Sequence, residues 1–294
     1  MNNTFRSGFV SIVGKPNVGK STLMNKLLGE KVSIISPKPQ TTRQQVKGIL
    51  TDENKQIIFL DTPGFVEARY ELHTKMLEYL KNALKDSDVI VFITDAHKFP
   101  TNYDKKMCSL LNSLKKPKIA LLNKIDLVEQ NIVTGKLKEL NEMDFEKVIP
   151  ISILNNSNFS GLLEMITDFL PFNPPFYDPQ EISDLPMRFF AQELIREQIF
   201  LRFRDEIPYA SSVIVESFKE LPNKIEISAN IWIERKSQKP IILGKGGEKI
   251  KALKKASEKE MYKLLGKRIK LELWVKIKAN WRKKKNALRE FGYL

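Results

Sequence analysis

At 294 residues the chain has room for about two ordinary domains, each able to bury its own core. Its formal charge of +14 is concentrated: residues 236–294 hold 19 Lys and Arg against 5 acids, while residues 1–235 hold 30 of each, so a polyanion is the expected partner of the C-terminal part. A single cysteine excludes an internal disulfide and suits a reducing compartment, and without an apolar run of about 18 residues or a signal-like N-terminus the expectation is a soluble cytoplasmic protein.

In chain order, "GFVSIV" (8–13) is apolar, bounded by glycines and too short for a helix, which predicts a buried strand. Similar runs recur at 56–60, 88–94, 118–122 and 147–152, separated by amphipathic stretches at 72–85, 101–115 and 159–170 that predict helices. Such alternation predicts a mostly parallel sheet with helices on both faces, an α/β fold. In "VKGILTDENKQIIFL" two strands flank an Asp/Asn turn, so one antiparallel strand is expected at the edge. Cys108 falls in a helical repeat with Met107, Leu110, Leu111 and Leu114, which predicts a packed thiol. Residues 171–186 carry five prolines in sixteen positions and predict a semi-rigid linker and domain boundary. Beyond it a helix, two strands, helical sequence around a second glycine loop and a last strand predict a small α+β module.

The first glycine loop runs from Gly14 through Lys15, Pro16, Asn17 and Val18 to Gly19, Lys20, Ser21 and Thr22, and matches G-x-x-x-x-G-K-[ST] between a predicted strand and a predicted helix. Its N–H groups can cradle phosphates, Lys20 can neutralise β and γ charge, and the Ser21 hydroxyl can ligate Mg²⁺. "DTPG" follows a strand: Asp61 can hold the metal through its water shell, Thr62 and Pro63 continue the turn, and Gly64 offers an unobstructed N–H to a γ-phosphate. "NKID" supplies Asn123, to tie its loop to the phosphate loop, Lys124, whose stem can cover a base, and Asp126. Guanine presents N1–H and a 2-amino group side by side, and one carboxylate can accept both, so Asp126 selects guanine over adenine.

Between loop and sheet edge, "SIISPKPQTTRQQ" (33–45) is polar and proline-bearing, and predicts a nucleotide-sensing switch in which Thr42, with Thr41 as second choice, completes the Mg²⁺ shell. Lys20, Thr42 and Gly64 are thus the candidate catalytic residues. Phe65, next in line, cannot orient an attacking water, so intrinsic hydrolysis is expected to be slow and to rely on another group, a partner or a bound K⁺, with Asn17 as the candidate to help hold that ion. The alternative for Phe65 is silent packing on a helix.

The second glycine loop fits G-x-x-G at Gly244, Lys245, Gly246 and Gly247, with Ile242 before it and Lys249, Ile250 and Lys254 after it. This is the arrangement of a KH motif, which clamps the backbone of about four unpaired nucleotides. It lacks the G-K-[ST] ending of a triphosphate loop, so the first loop is assigned to GTP and the second to RNA. Trp274 and Trp281 could stack bases, although the alternation around Trp274 favours the core. His73 and His97 have no partners at ligand spacing and are expected to be surface or packing residues.

Together, "GKPNVGKST", "TTR", "DTPG", "NKID", "ILGKGGEKI" and "LWVKIKANWRKKK" resemble the Era family of bacterial GTPases over nearly the whole chain. The resemblance implies a Ras-like GTPase domain at 1–172, a linker at 173–186 and a type II KH domain at 187–294. It implies a monomeric factor that uses GTP to control binding to the 3′ end of small-subunit rRNA during small ribosomal subunit assembly, with some association with the inner membrane face. It also implies that Ser152 and Ile153 form the last guanine-contacting loop, where Ile153 replaces the family's alanine. The stretch "FVEARYELH" departs from the histidine-bearing second switch of relatives. Two other readings are a tRNA-modification GTPase, which would want a catalytic cysteine or cofactor pocket beyond the linker, and a nucleotide-gated RNA-binding module with negligible turnover.

Overall fold

Each apolar run of the first half becomes a strand because it is too short to close a helix, and all but the last, at the sheet edge, are mostly buried. A computed structural model describes residues 4–65 and 67–294. In the first unit β1 (Arg6–Val13), β2 (Val46–Thr51), β3 (Lys55–Asp61), β4 (Val89–Asp95), β5 (Lys118–Asn123) and β6 (Lys147–Pro150) form one sheet in the order β2-β3-β1-β4-β5-β6. All pairings are parallel except β2 with β3, so the antiparallel strand lies at the edge. Strands β3, β4 and β5 are buried at every position, which is why they read as unbroken apolar runs. The crossover helices are α1 (Lys20–Leu28), α2 (Glu71–Asp86), α3 (Asn102–Asn112), α4 (Gln130–Asn141) and α5 (Leu162–Asp168).

Parallel register gathers the chemistry at one edge of this sheet. Ile12 pairs with Asp61, and Asp95 with Asn123, so the phosphate loop, the metal-side carboxylate and the base loop all leave from neighbouring strand ends. The proline-rich stretch is bound along the opposite flank. Ile49 N donates to Ile182 O at 2.8 Å, Lys47 pairs with Asp184 at 2.6 Å, and the Gln56 side chain accepts from Phe176 N and Tyr177 N. It thereby covers the exposed ladder groups of β2.

The second compact unit comprises residues 34–41, 68–75 and 185–294, so two short segments of the first half group with the C-terminal part. It contains α6 (Met187–Arg202), α7 (Ile207–Ala210), β7 (Ser212–Leu221), β8 (Lys224–Ile233), α8 (Gln238–Leu243), α9 (Glu248–Leu265), β9 (Arg268–Ile277) and α10 (Lys285–Glu290). Its sheet runs β7-β8-β9, antiparallel then parallel. Leu194, Ile195 and Ile199 of α6 and Leu253 and Met261 of α9 meet Ile227, Ile231 and Leu271 in its core.

The two tryptophans exchange the roles expected from sequence. Trp281 is fully buried, donates from Nε1 to Ala210 O at 2.8 Å and packs on Phe291 and Tyr293. Trp274 is 46% exposed. The inward positions of β9 are Ile269, Leu271 and Val275, all of one parity; Trp274 has the other and faces away from the core. Cys108 is buried against Met107 and Leu111, and burial, reinforced by Asp104, pushes its thiol up to about 11, so it is an inert packing residue. His73 is buried and lies 3.8 Å from the Tyr70 ring, a packing role. Among the described residues no helix is long and apolar enough to cross a membrane.

Candidate functional site

The phosphate loop turns directly from β1 into α1, whose first residue is Lys20. Lys20 Nζ donates to the carbonyls of Gly14 (3.2 Å) and Lys15 (3.0 Å), folding the side chain back over its own loop. Burial lowers its pKa to about 8, with Asp61 opposing the shift. A phosphate group is the partner that would offset this desolvation. Thr62 Oγ1 donates to Ile12 O at 2.9 Å and pins the start of the "TPG" turn to β1. Gly64 then passes so close to the loop that an added Cβ would lie 2.9 Å from Pro16 N. No side chain fits there without displacing the loop, which accounts for a glycine at this position.

Hard oxygens converge beside this turn. Asp61 Oδ2 accepts from Ser21 Oγ at 2.6 Å, from Ser33 Oγ at 2.7 Å and from Thr42 Oγ1 at 3.3 Å, and Ser21 and Thr42 hydroxyls lie 3.1 Å apart. Asp61 Oδ1 is buried without a hydrogen-bond partner. Burial raises the carboxyl's pKa and the three hydroxyls oppose that rise. Two hydroxyls and a carboxylate with one idle oxygen, all hard donors, suit Mg²⁺. Thr41 is turned away, its hydroxyl donating to Lys38 O at 2.7 Å, so Thr42 is the threonine brought to this cluster.

The base side is organised by Asn123. Its Nδ2 donates to Val18 O at 2.8 Å, tying the base loop to the phosphate loop, and its Oδ1 accepts from Ile153 N at 3.2 Å. Lys124 adopts a left-handed backbone, and its ammonium bridges Asn17 O (2.8 Å) and Asp95 Oδ2 (2.7 Å). Burial alone would raise Asp95, but Lys124 holds it below the usual carboxylate range. Asp126 sits exposed in the following turn (Ile125–Leu127), with its carboxylate toward solvent. Ser152 is buried and accepts from Asn155 N at 3.2 Å. Ile153 is also buried, and it approaches Gly19 closely enough that a Cβ there would stand 3.2 Å from its Cδ1. Phe65 packs edge-on against Tyr103 at 6.0 Å and joins the apolar cluster of α3, so it takes the packing role.

Four residues of this site carry no motif. Ser33 and Asp95 are visible only once parallel register and the switch path are known. Asn25, on α1, accepts from Val32 N and Ser33 N and donates to Ser33 O at 2.7 Å. Asp104 was readable as the N3 member of a capping box with Thr101. Its second task is tertiary: fully buried, it also pairs with Lys15 Nζ at 3.0 Å and accepts from Thr94 Oγ1, bracing the phosphate loop from below.

In the second unit, Gly244, Gly246 and Gly247 all have positive φ (71°, 60° and 80°), the conformation that favours glycine in this short link between α8 and α9. Lys245 and Gly246 are exposed at its tip, and Lys249 is exposed on the first turn of α9. Ile242 is buried beneath the loop and Ile250 packs against the core. Beside them Ile250, Lys251, Lys254, Leu273 and Trp274 line a groove of about 280 Å³ that also carries Glu272. It is apolar on its floor and mostly cationic on its rim, as unpaired nucleotides require.

These two sites define a P-loop GTPase carrying a C-terminal KH domain, and family models agree: that described as "50S ribosome-binding GTPase" matches residues 9–124, and that of the KH domain matches residues 206–282. Two solved structures are each 39% identical over 98% of this chain and 99% of theirs: a variant of Aquifex aeolicus Era bound to GDP·AlF4⁻ (TM-score 0.95), and Era in complex with MgGDPNP and nucleotides 1506–1542 of 16S ribosomal RNA (TM-score 0.93). The chain belongs to the Era family, and the reaction served by its first site is GTP hydrolysis.

Proposed function

We propose that this chain grips the 3′-terminal stretch of small-subunit rRNA with its KH unit and uses GTP binding and hydrolysis to time that grip during assembly of the small ribosomal subunit. The observation that carries the reading is the pairing, in one chain, of a guanine-type base loop with an exposed cationic G-x-x-G beside an apolar groove. The 16S rRNA fragment held by the similar Era structure supports the choice of RNA.

The chain's own residues divide the work. Loop amides and Lys20 hold the β and γ phosphates, Gly64 N–H reports the γ-phosphate, and Asp126 reads the base. Mg²⁺, held by Ser21 and Thr42 with Asp61 behind them, supplies charge neutralisation at the transferring phosphoryl group. The switch responds because residues 34–41 group with the KH unit: Ile35 N donates to Glu197 Oε1 at 2.9 Å, only seven residues before Thr42. Loss of the γ-phosphate frees Thr42 and so loosens the root of that contact.

Phe65 leaves the attacking water without a side chain to orient it, so unassisted turnover is slow. We assign part of the missing assistance to K⁺ at the phosphate loop near Asn17 and part to bound RNA. The protein acts as a monomer in the cytoplasm, and its cationic C-terminal part accounts for peripheral attraction to anionic lipid. Phosphate release measured with and without a 3′-terminal 16S rRNA fragment, in KCl and in NaCl, tests both assignments. Release should quicken with RNA and with K⁺; a rate indifferent to RNA counts against coupling, and one indifferent to the cation removes the ion.

A further inference from the structure

Asp61 uses its two oxygens unequally. Three hydroxyls crowd Oδ2, while Oδ1 has no partner although both atoms are buried. Two of the three, Ser21 and Thr42, belong to the set that suits a metal ion. Once an ion draws on their lone pairs, it dictates where those hydroxyls point, and their hold on Asp61 becomes secondary. Ser33 is the third donor and is not one of that pair.

Ser33 is also held in advance. Asn25 accepts from Ser33 N at 2.8 Å and from Val32 N at 3.0 Å, and donates to Ser33 O, so the backbone on both sides of the hydroxyl is fastened to α1. Ser33 is itself buried and sits where the switch segment begins. Its reach to Asp61 therefore does not depend on the conformation of the rest of the switch. Thr42, at the far end of that segment, makes the longest of the three contacts, 3.3 Å.

We propose that Ser33 is the positioning residue of the metal site: anchored by Asn25, it holds the Asp61 carboxylate in place from the root of the switch while Ser21 and Thr42 serve the ion. Outer partners that orient a metal-site carboxylate typically contribute ten- to a hundredfold in metal affinity. The inference rests on the GTPase reading of the first site. The rival account is that the Ser33 contact fills in for the ion and is given up when Mg²⁺ arrives.

The test titrates Mg²⁺ against binding of a fluorescent, non-hydrolysable GTP analogue to the full chain. Ser33→Ala should raise the Mg²⁺ concentration at half-saturation by about tenfold, within the range for such partners. Ser33→Thr, which keeps the hydroxyl, should return it to the wild-type value, and residual binding in EDTA should be equal for all three proteins. A purely structural role would lower the melting temperature and leave the Mg²⁺ midpoint in place; that result, or a midpoint that falls, overturns the proposal. If wild type itself shows no Mg²⁺ dependence, the GTPase reading fails instead.

Discussion

Asp126→Asn should weaken GTP binding by about a hundredfold and make xanthosine triphosphate the better ligand. The carboxylate can accept from guanine N1–H and from the 2-amino group at once, and both bonds are charge-assisted. The amide keeps one acceptor but sets an N–H donor against the 2-amino donor, which removes one bond and leaves two donors facing each other. A loss of about 3 kcal/mol is the scale for such a mismatch in a recognition site. Xanthine carries a carbonyl at that position and can accept from the new amide. Asp126 lies in an exposed turn, so the fold has little stake in it. Equilibrium binding of fluorescent guanine and xanthine nucleotides checks this; GTP affinity unchanged by the substitution would show that the base is read elsewhere.

The double substitution Lys245→Asp/Gly246→Asp should reduce affinity for single-stranded rRNA by a hundredfold or more while leaving RNA-independent phosphate release at the wild-type rate. Both positions are exposed at the loop tip, and a Cβ on Gly246 would meet nothing within 4 Å, so the substitution meets backbone strain but no clash. The αL backbone at Gly246 (φ 60°) is one that aspartate tolerates better than most residues. One cation is lost and two anions appear where a phosphodiester backbone must pass, and such contacts dominate nucleic-acid affinity. Fluorescence anisotropy with a labelled 3′-terminal fragment at fixed salt is the measurement. Undiminished binding would remove the KH loop from the RNA site.

What was legible in the sequence was whatever a short spacing can carry. The phosphate loop, "DTPG" and "NKID" fix backbone geometry within a few residues, and the strand runs that precede them fix which sheet edge they share. The antiparallel edge strand was readable because an Asp/Asn turn sits between two apolar runs. The part played by Ser33 was not, since it depends on Asn25 eight residues earlier and on Asp61 at the end of β3. Asp104 showed its helix cap but not its buried partner Lys15, 89 positions away. Trp274 misled because alternation marks a half-buried strand without saying which parity faces the core. The grouping of residues 34–41 and 68–75 with the C-terminal unit is equally invisible to a division into consecutive segments.

The central claim is that the nucleotide state of the first site sets the RNA grip of the second. Affinity of the wild-type protein for the 3′-terminal 16S rRNA fragment, titrated at one salt concentration with saturating GDP and then with a non-hydrolysable GTP analogue, tests it most directly. Binding should be tighter with the analogue by about tenfold, the ordinary scale of coupling between two sites. Equal affinities in the two states would contradict it.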